Sequence, residues 1–306
     1  MRKLSVVLIT ACITIFFITG CTPPAERMLK EGIGKADKED YKGAIKLFTE
    51  AIKVDTFLVE AYSNRAHARY MLKDYKGAIR DYNRAINLDK ENASYYFNRA
   101  VVMNESGNPT MAVLDYTKAL IYDPSFTRAY YNRGNSRSGM KDLSGAIEDY
   151  SKAISLQPVF PDAYYNMGLA KCNLGDFQGA IPDFDKAISQ NDHLTEAYIN
   201  RGAAKYRLGD IEGALQDYDK TIQMQPSSAV GYMNRGVLRF KMKNFAGAIE
   251  DFSKAIEINP KDASAYYNRG NARKEAKDSK GACQDWSKAT KMGNPQAKEM
   301  MGRYCK

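Results

Sequence analysis

Histidine and tryptophan are nearly missing: the 306 residues hold two His and one Trp. Imidazole is the side chain that most often binds metals or moves protons near neutral pH, so this chain has little of either chemistry to offer. No H-E-x-x-H, G-x-x-x-x-G-K-[ST], G-x-S-x-G or calcium-loop pattern occurs, which removes the usual zinc, nucleotide, serine-hydrolase and EF-hand sites. Cysteine is sparse at five. The apolar stretch at residues 4–18 is 15 long and broken by Ser5, Thr10 and Thr14, short of the roughly 20 residues of a membrane-crossing helix. With 10 Pro and 22 Gly, 44% hydrophobic and 26% charged residues, the chain is neither collagen-like nor disordered. What it has in quantity is tyrosine, 21 residues, and a net charge of +9.

The start of the chain reads as an address. Arg2 and Lys3 precede the apolar stretch, and Ile18-Thr19-Gly20-Cys21 closes it, in the order of a removable export signal at residues 1–20. These residues resemble the lipobox of bacterial lipoproteins, which implies that Cys21 is acylated and becomes the mature N-terminus. The resemblance implies a lipid-anchored protein of the cell envelope. Thr22 in place of Asp points to the outer membrane under the usual sorting rule. Residues 21–26, with Pro23 and Pro24, form a stiff spacer. With Cys21 modified, Cys172, Cys283 and Cys305 remain, an odd number that describes no disulfide framework. A Cys283–Cys305 pair and free buried thiols are equally compatible with the sequence.

The rest repeats every 34 residues. Ala44, Ala78, Ala112, Ala146, Ala180, Ala214, Ala248 and Ala282 are evenly spaced. Four residues after each stands an aromatic: Phe48, Tyr82, Tyr116, Tyr150, Phe184, Tyr218, Phe252 or Trp286. Twelve before each is Gly or Ala, from Gly32 to Gly270. These spacings place small and large residues on facing sides of two helices. Asp40, Asp74, Asn108, Asp142, Asp176, Asp210, Asn244 or Asp278 sits where each second helix must start, and there it can cap exposed N–H groups. Pro182, inside a second helix, is expected to kink it.

The pattern resembles the tetratricopeptide repeat. It implies an all-α, right-handed superhelical solenoid of eight helix-turn-helix repeats over 27–294, with a capping helix at 295–306. In the family, positions two, five, nine and twelve of the first helix face a concave groove. Counting from each repeat's start, with the position-six Asn ladder, this marks Phe97, Tyr131, Asn132, Asn135, Tyr165, Asn166, Ile199, Asn200, Tyr206, Met233, Phe240 and Tyr267 as partner-binding residues. The ladder can either hold an extended peptide backbone or tie adjacent helices together. The Lys clamp of relatives that bind C-terminal carboxylates is missing, because position five here is aromatic or apolar.

The recurrent carboxylates, such as Asp81, Asp149, Asp183 and Asp217, share one repeat position and read as helix surface. The Arg row, from Arg65 to Arg269, and the Lys row near each second helix's end spread the basic excess evenly, and an extracytoplasmic address argues against nucleic acid. No metal, cofactor or catalytic residue is expected. The function expected is a non-enzymatic adaptor holding a peptide of an envelope protein. A glycan-binding or enzyme-associated subunit and an assembly chaperone are the alternatives.

Overall fold

A computed structural model describes residues 23–305; Cys21 and the leader before it lie outside them. Among the described residues there are seventeen α-helices and no strand. They fall into two compact units, one ending at Ser106 and one beginning at Gly107. The first unit holds α1 (Pro24–Ala36), α2 (Tyr41–Val54), α3 (Val59–Met71), α4 (Tyr75–Leu88) and α5 (Ala93–Glu105). The second holds α6 (Pro109–Tyr122), α7 (Thr127–Gly139), α8 (Leu143–Leu156), α9 (Pro161–Asn173), α10 (Phe177–Gln190) and α11 (Thr195–Arg207). It continues with α12 (Ile211–Met224), α13 (Ala229–Lys241), α14 (Phe245–Ile258), α15 (Ala263–Glu275), α16 (Ser279–Lys291) and α17 (Pro295–Tyr304). Within each unit consecutive helices pack on one another, so α3 touches α2 and α4, α7 touches α6 and α8, and α17 closes on α16. The all-helical, paired architecture is the one the repeat implies.

The turn inside seven of the eight repeats is built by one polar residue with two jobs. Asp74 caps α4 by accepting from the Gly77 N–H at 2.9 Å, and its own N–H reaches back to the Arg69 carbonyl at 2.9 Å, closing α3. Asp40, Asp142, Asp176, Asp210, Asn244 and Asp278 cap in the same way. The residue before the cap is left-handed, with φ of 60° to 68° at Glu39, Lys73, Lys141, Lys243 and Lys277 and Gly at 175 and 209.

Helices pair closely because a small residue faces a ring, glycine in six repeats and Ala66 and Ala100 in the second and third. A Cβ on Gly134 would stand 2.8 Å from Tyr150, and one on Gly270 only 2.6 Å from the Trp286 indole. Ala146, Tyr150 and Ala153, and their counterparts in every repeat, are buried.

The recurrent Asp residues are not helix surface. Asp81, Asp115, Asp149, Asp183, Asp217, Asp251 and Asp285 are all buried, and the Arg row of the first helices is what permits it. Arg133 grips Asp149 with Nε and Nη2 at 3.0 and 2.6 Å, and Arg137 adds a bond at 3.0 Å. The same fork joins Arg65 to Asp81, Arg235 to Asp251 and Arg269 to Asp285. Each is a bidentate, charge-assisted contact between the two helices of a repeat. Spacing alone could not show it, because Arg and Asp lie 16 residues apart on different helices. The fifth repeat breaks the rule: Met167 stands where the Arg should be, and Asp183 has only the Lys171 ammonium at 2.7 Å. Burial therefore pushes the Asp183 carboxyl above its ordinary value despite Lys171.

Two further expectations resolve. α10 runs unbroken through Pro182; Pro182 and Gln178, whose carbonyl loses its partner, are both exposed, so water can satisfy it. Cys283 and Cys305 form a disulfide that ties α16 to the end of α17. Met300 and Met301 pack against the Trp286 cluster, whereas Tyr304 stays 45% exposed with the Lys274 ammonium over its ring.

Removing Asp149 strands two guanidinium groups, so Asp149→Asn should lower the unfolding free energy by ~3–5 kcal/mol in denaturant titrations. Asp183→Asn should cost far less. Because the folded-state pKa of Asp183 is raised, its charged form costs stability at neutral pH, and that cost disappears as pH falls through the raised value. Wild type should therefore gain stability relative to Asp183→Asn on acidification, at pH values still above the ordinary 3.8. Reducing the disulfide, or Cys305→Ser, should release α17 and cost about 3 kcal/mol in the loop-entropy account, seen as faster amide exchange across 295–304.

Candidate functional site

Within the second unit, consecutive first helices touch: α7 meets α9, α9 meets α11, and α13 meets α15, whereas no two consecutive second helices approach as closely. The unit thus curves toward its first helices, whose outward residues line an inner face. The sequence marked that face by positions five, six, nine and twelve. The structure brings most of those residues onto it but employs several of them in holding the stack together.

The Asn ladder ties neighbouring helices. Asn166 of α9 donates to the Tyr131 hydroxyl of α7 at 3.1 Å and to Asn135 Oδ1 at 3.0 Å. Asn200 of α11 repeats the contact to the Tyr165 hydroxyl of α9 at 3.1 Å and also bonds the Glu196 carbonyl. Tyr131 is further clamped by Phe160, with ring centroids 4.7 Å apart, and Tyr165 leans on Phe184. Burial raises both phenols, and for Tyr165 the Glu196 carboxylate adds to it. Tyr131, Tyr165 and their Asn partners are therefore rungs between repeats. Asn132 lies half-buried beside them.

Asn135 does a second job: it accepts from the Tyr150 hydroxyl at 2.8 Å. Asn271, at the same place in the eighth repeat, accepts from the Trp286 indole N–H at 3.1 Å. Between these two, position nine changes character to Leu169, Ala203 and Val237. The facing rings are Phe184, Tyr218 and Phe252, so the apolar replacements leave two rings with nothing to satisfy and one with a hydroxyl. Tyr218 is 3% exposed and its hydroxyl makes no hydrogen bond; burial pushes it up to about 12. Its ring lies against Gly202 of α11, one residue from Ala203. The sequence reading treated Tyr218 as core. The available signal was a Tyr opposite an Ala where Asn135 faces Tyr150.

Around this centre Ile199 and Met233 at position five and Tyr206 and Phe240 at position twelve are half-buried, forming the walls of an apolar strip over repeats five to seven. Tyr206 packs on Tyr218 and Phe240 on Phe252. The strip has charged rims: Asp162 and Glu196 on one side, Arg207 and Lys241 on the other, all exposed. A polar notch of about 170 Å3 lined by Asn135, Tyr150, Asn166, Leu169 and Asn173 adjoins it. Tyr267 lies outside the strip, against the Trp286 cluster. Phe97, in the first unit, is a correction to the sequence reading: at 5% exposure it is core and offers a partner almost no surface. His67 and His193 lie on different units and are both exposed.

The comparisons agree with this architecture. Tetratricopeptide-repeat models match residues 161–194 and 229–262, 252–284 and 195–228, and a TPR-repeat model matches 66–107 and 140–175; together they span more than half of the chain. No curated protein matches it. Among solved structures, the chain is similar to YrrB, described as a TPR protein with an unusual peptide-binding site: identity is 28%, TM-score 0.55, over 60% of this chain and 95% of that one. MamA aligns at 26% identity and TM-score 0.52, over 53% and 94%. The C-terminal part of a TPR repeat-containing protein from Cytophaga hutchinsonii aligns at 17% identity and TM-score 0.69, over 78% and 98%, a likeness of fold alone. With its 34-residue period, its glycine-on-ring helix pairs and these matches in agreement, the chain belongs to the tetratricopeptide repeat family.

Proposed function

We propose that the protein is a non-enzymatic adaptor, anchored to the cell envelope by lipid at Cys21, that holds a peptide segment of another envelope protein on the strip of repeats five to seven. The observation that carries the reading is the Tyr218 hydroxyl: it bonds no other side chain, opens to solvent among the apolar residues of the strip, and can donate to a main-chain carbonyl of a bound segment. Leu169, Ala203 and Val237 supply apolar contact, and the opposed rims select a segment with basic residues toward Asp162 and Glu196 and acidic ones toward Arg207 and Lys241. The peptide site of YrrB supports a peptide ligand for this fold.

The anchor rests on the lipobox-like Ile18-Thr19-Gly20-Cys21. A disulfide between Cys283 and Cys305 suits an oxidising envelope compartment. Several acyl chains, at about 0.8 kcal/mol per buried CH2, make such an anchor durable. The adaptor works by position: lipid confines it to one membrane face and the rigid helix pairs present the strip there.

Ala203→Arg fills the strip without touching the Asn ladder. It should cut recovery of the cross-linked partner from intact cells by about tenfold or more, roughly 1.4 kcal/mol, while circular dichroism stays unchanged. Tyr218→Phe should weaken the partner less and leave the stability of the free protein nearly unchanged, since its hydroxyl makes no bond within the fold. Unaltered recovery with Ala203→Arg would sink the strip as the site. Separately, Cys21→Ser should move the protein from the membrane to the soluble fraction.

A further inference from the structure

The outer face of α6 departs from every other second helix. Its exposed residues include Met111, Leu114 and Ile121, at 49%, 56% and 61% exposure. Where Met111 stands, the other seven repeats all have Gly. Where Leu114 stands they have Lys46, Arg80, Glu148, Pro182, Gln216, Glu250 and Gln284, and where Ile121 stands they have Lys, Asn, Ser, Gln or Glu. Six repeats thus keep position 114 polar and the fifth has Pro182, whereas the third alone sets large apolar side chains at all three places. The change at 111 has a cost. In the other repeats the cap side chain lies over the Gly, so that a Cβ on Gly145 would sit 2.4 Å from the Asp142 carboxylate. In α6 the cap residue Asn108 has moved to φ −116°, away from the −77° to −87° of Asp40 and Asp278 and those between.

Residues 111, 114, 118 and 121 follow each other at three and four residues, a single stripe along one side of the helix and about 15 Å long. Lys118, exposed, is the one charge on it. At one end Thr110 contacts the Met140 sulfur at 3.6 Å, and Met140, itself 37% exposed, carries the apolar surface onto the end of α7.

We propose that this stripe is a second docking surface, separate from the inner strip, and that its occupant is one amphipathic helix of a partner protein. The stripe has the geometry of a helix-packing ridge. Its size selects against a second copy of the chain: three half-exposed side chains present on the order of 300 Å2, a functional patch on a monomer, against ~800 Å2 per partner in a stable dimer. Lys118 at its centre selects a carboxylate on the incoming helix and disfavours a purely hydrocarbon surface.

The test uses the full-length protein in its own cells, with p-benzoylphenylalanine in place of Met111 as the photo-cross-linker and the adduct peptide sequenced by mass spectrometry. The expected adduct is a segment of another protein with apolar residues at helical spacing and an Asp or Glu among them. Its yield should fall about tenfold when Leu114→Glu and Ile121→Glu are combined. These changes install the residues that the seventh repeat already carries as Glu250 and Glu257, so folding is preserved, and circular dichroism confirms it. An adduct to a second copy of this chain, to phospholipid alone or to a segment without that pattern, a yield that survives the Glu pair, or no adduct overturns the proposal.

Discussion

The close approach of the two helices in each repeat is the constraint on which the rest of the structure depends. A glycine pressed to a ring, as at Gly134 and Tyr150 or Gly270 and Trp286, brings the backbones together. At that separation an Arg on the first helix can reach a carboxylate on the second and bury it in a bidentate grip. The ring and the Asp are neighbours in sequence, Asp149 before Tyr150 and Asp285 before Trp286, and where the second repeat has Ala66 in place of the glycine the Arg65–Asp81 fork is kept at 2.9 and 2.8 Å. The apolar seal and the ion pair thus lie side by side. A repeat that cannot bury its own face alone gains from its neighbours what these contacts leave uncovered.

Much of the fold was legible in the sequence because it is periodic. The Ala and aromatic positions, the Asp caps and the final helix all follow from residues that recur at fixed spacing, and the caps bond as expected at 2.8–3.0 Å. What periodicity hid was pairing across helices. The Asp row looked like surface because a carboxylate at a regular position has no partner within its own helix; the partner is 16 residues earlier, on the other side of the turn. The disulfide was undecided for a similar reason, since only the packing of α17 on α16 brings Cys305 to Cys283.

The inner face shows the same limit. Spacing put its aromatic residues on one side of the first helices, yet it could not separate a ring open to a partner from one already in use, as Tyr131 and Tyr165 are, or from one in the core, as Phe97 is. Tyr131 and Tyr165 are spent on Asn166 and Asn200, whereas the Tyr218 hydroxyl bonds no other side chain. The distinction lies in pairs of positions. Asn135 answers Tyr150 and Asn271 answers Trp286, but Ala203 gives Tyr218 no answer. Exceptions to the repeat, at Ala203 on the inside and at Leu114 on the outside, carry the individual information of a chain whose regular positions only say how it stacks.

Met167 in the fifth repeat has a mechanical consequence. A stack of near-identical units has no reason to part at one place rather than another, and load along it would be shared. Substituting a thioether for a guanidinium removes that equivalence: Asp183 is left with one ammonium, and its own helix, α10, carries Pro182 on the solvent side. Under tension the second unit should give way first at this seam, which makes the fifth repeat its fuse.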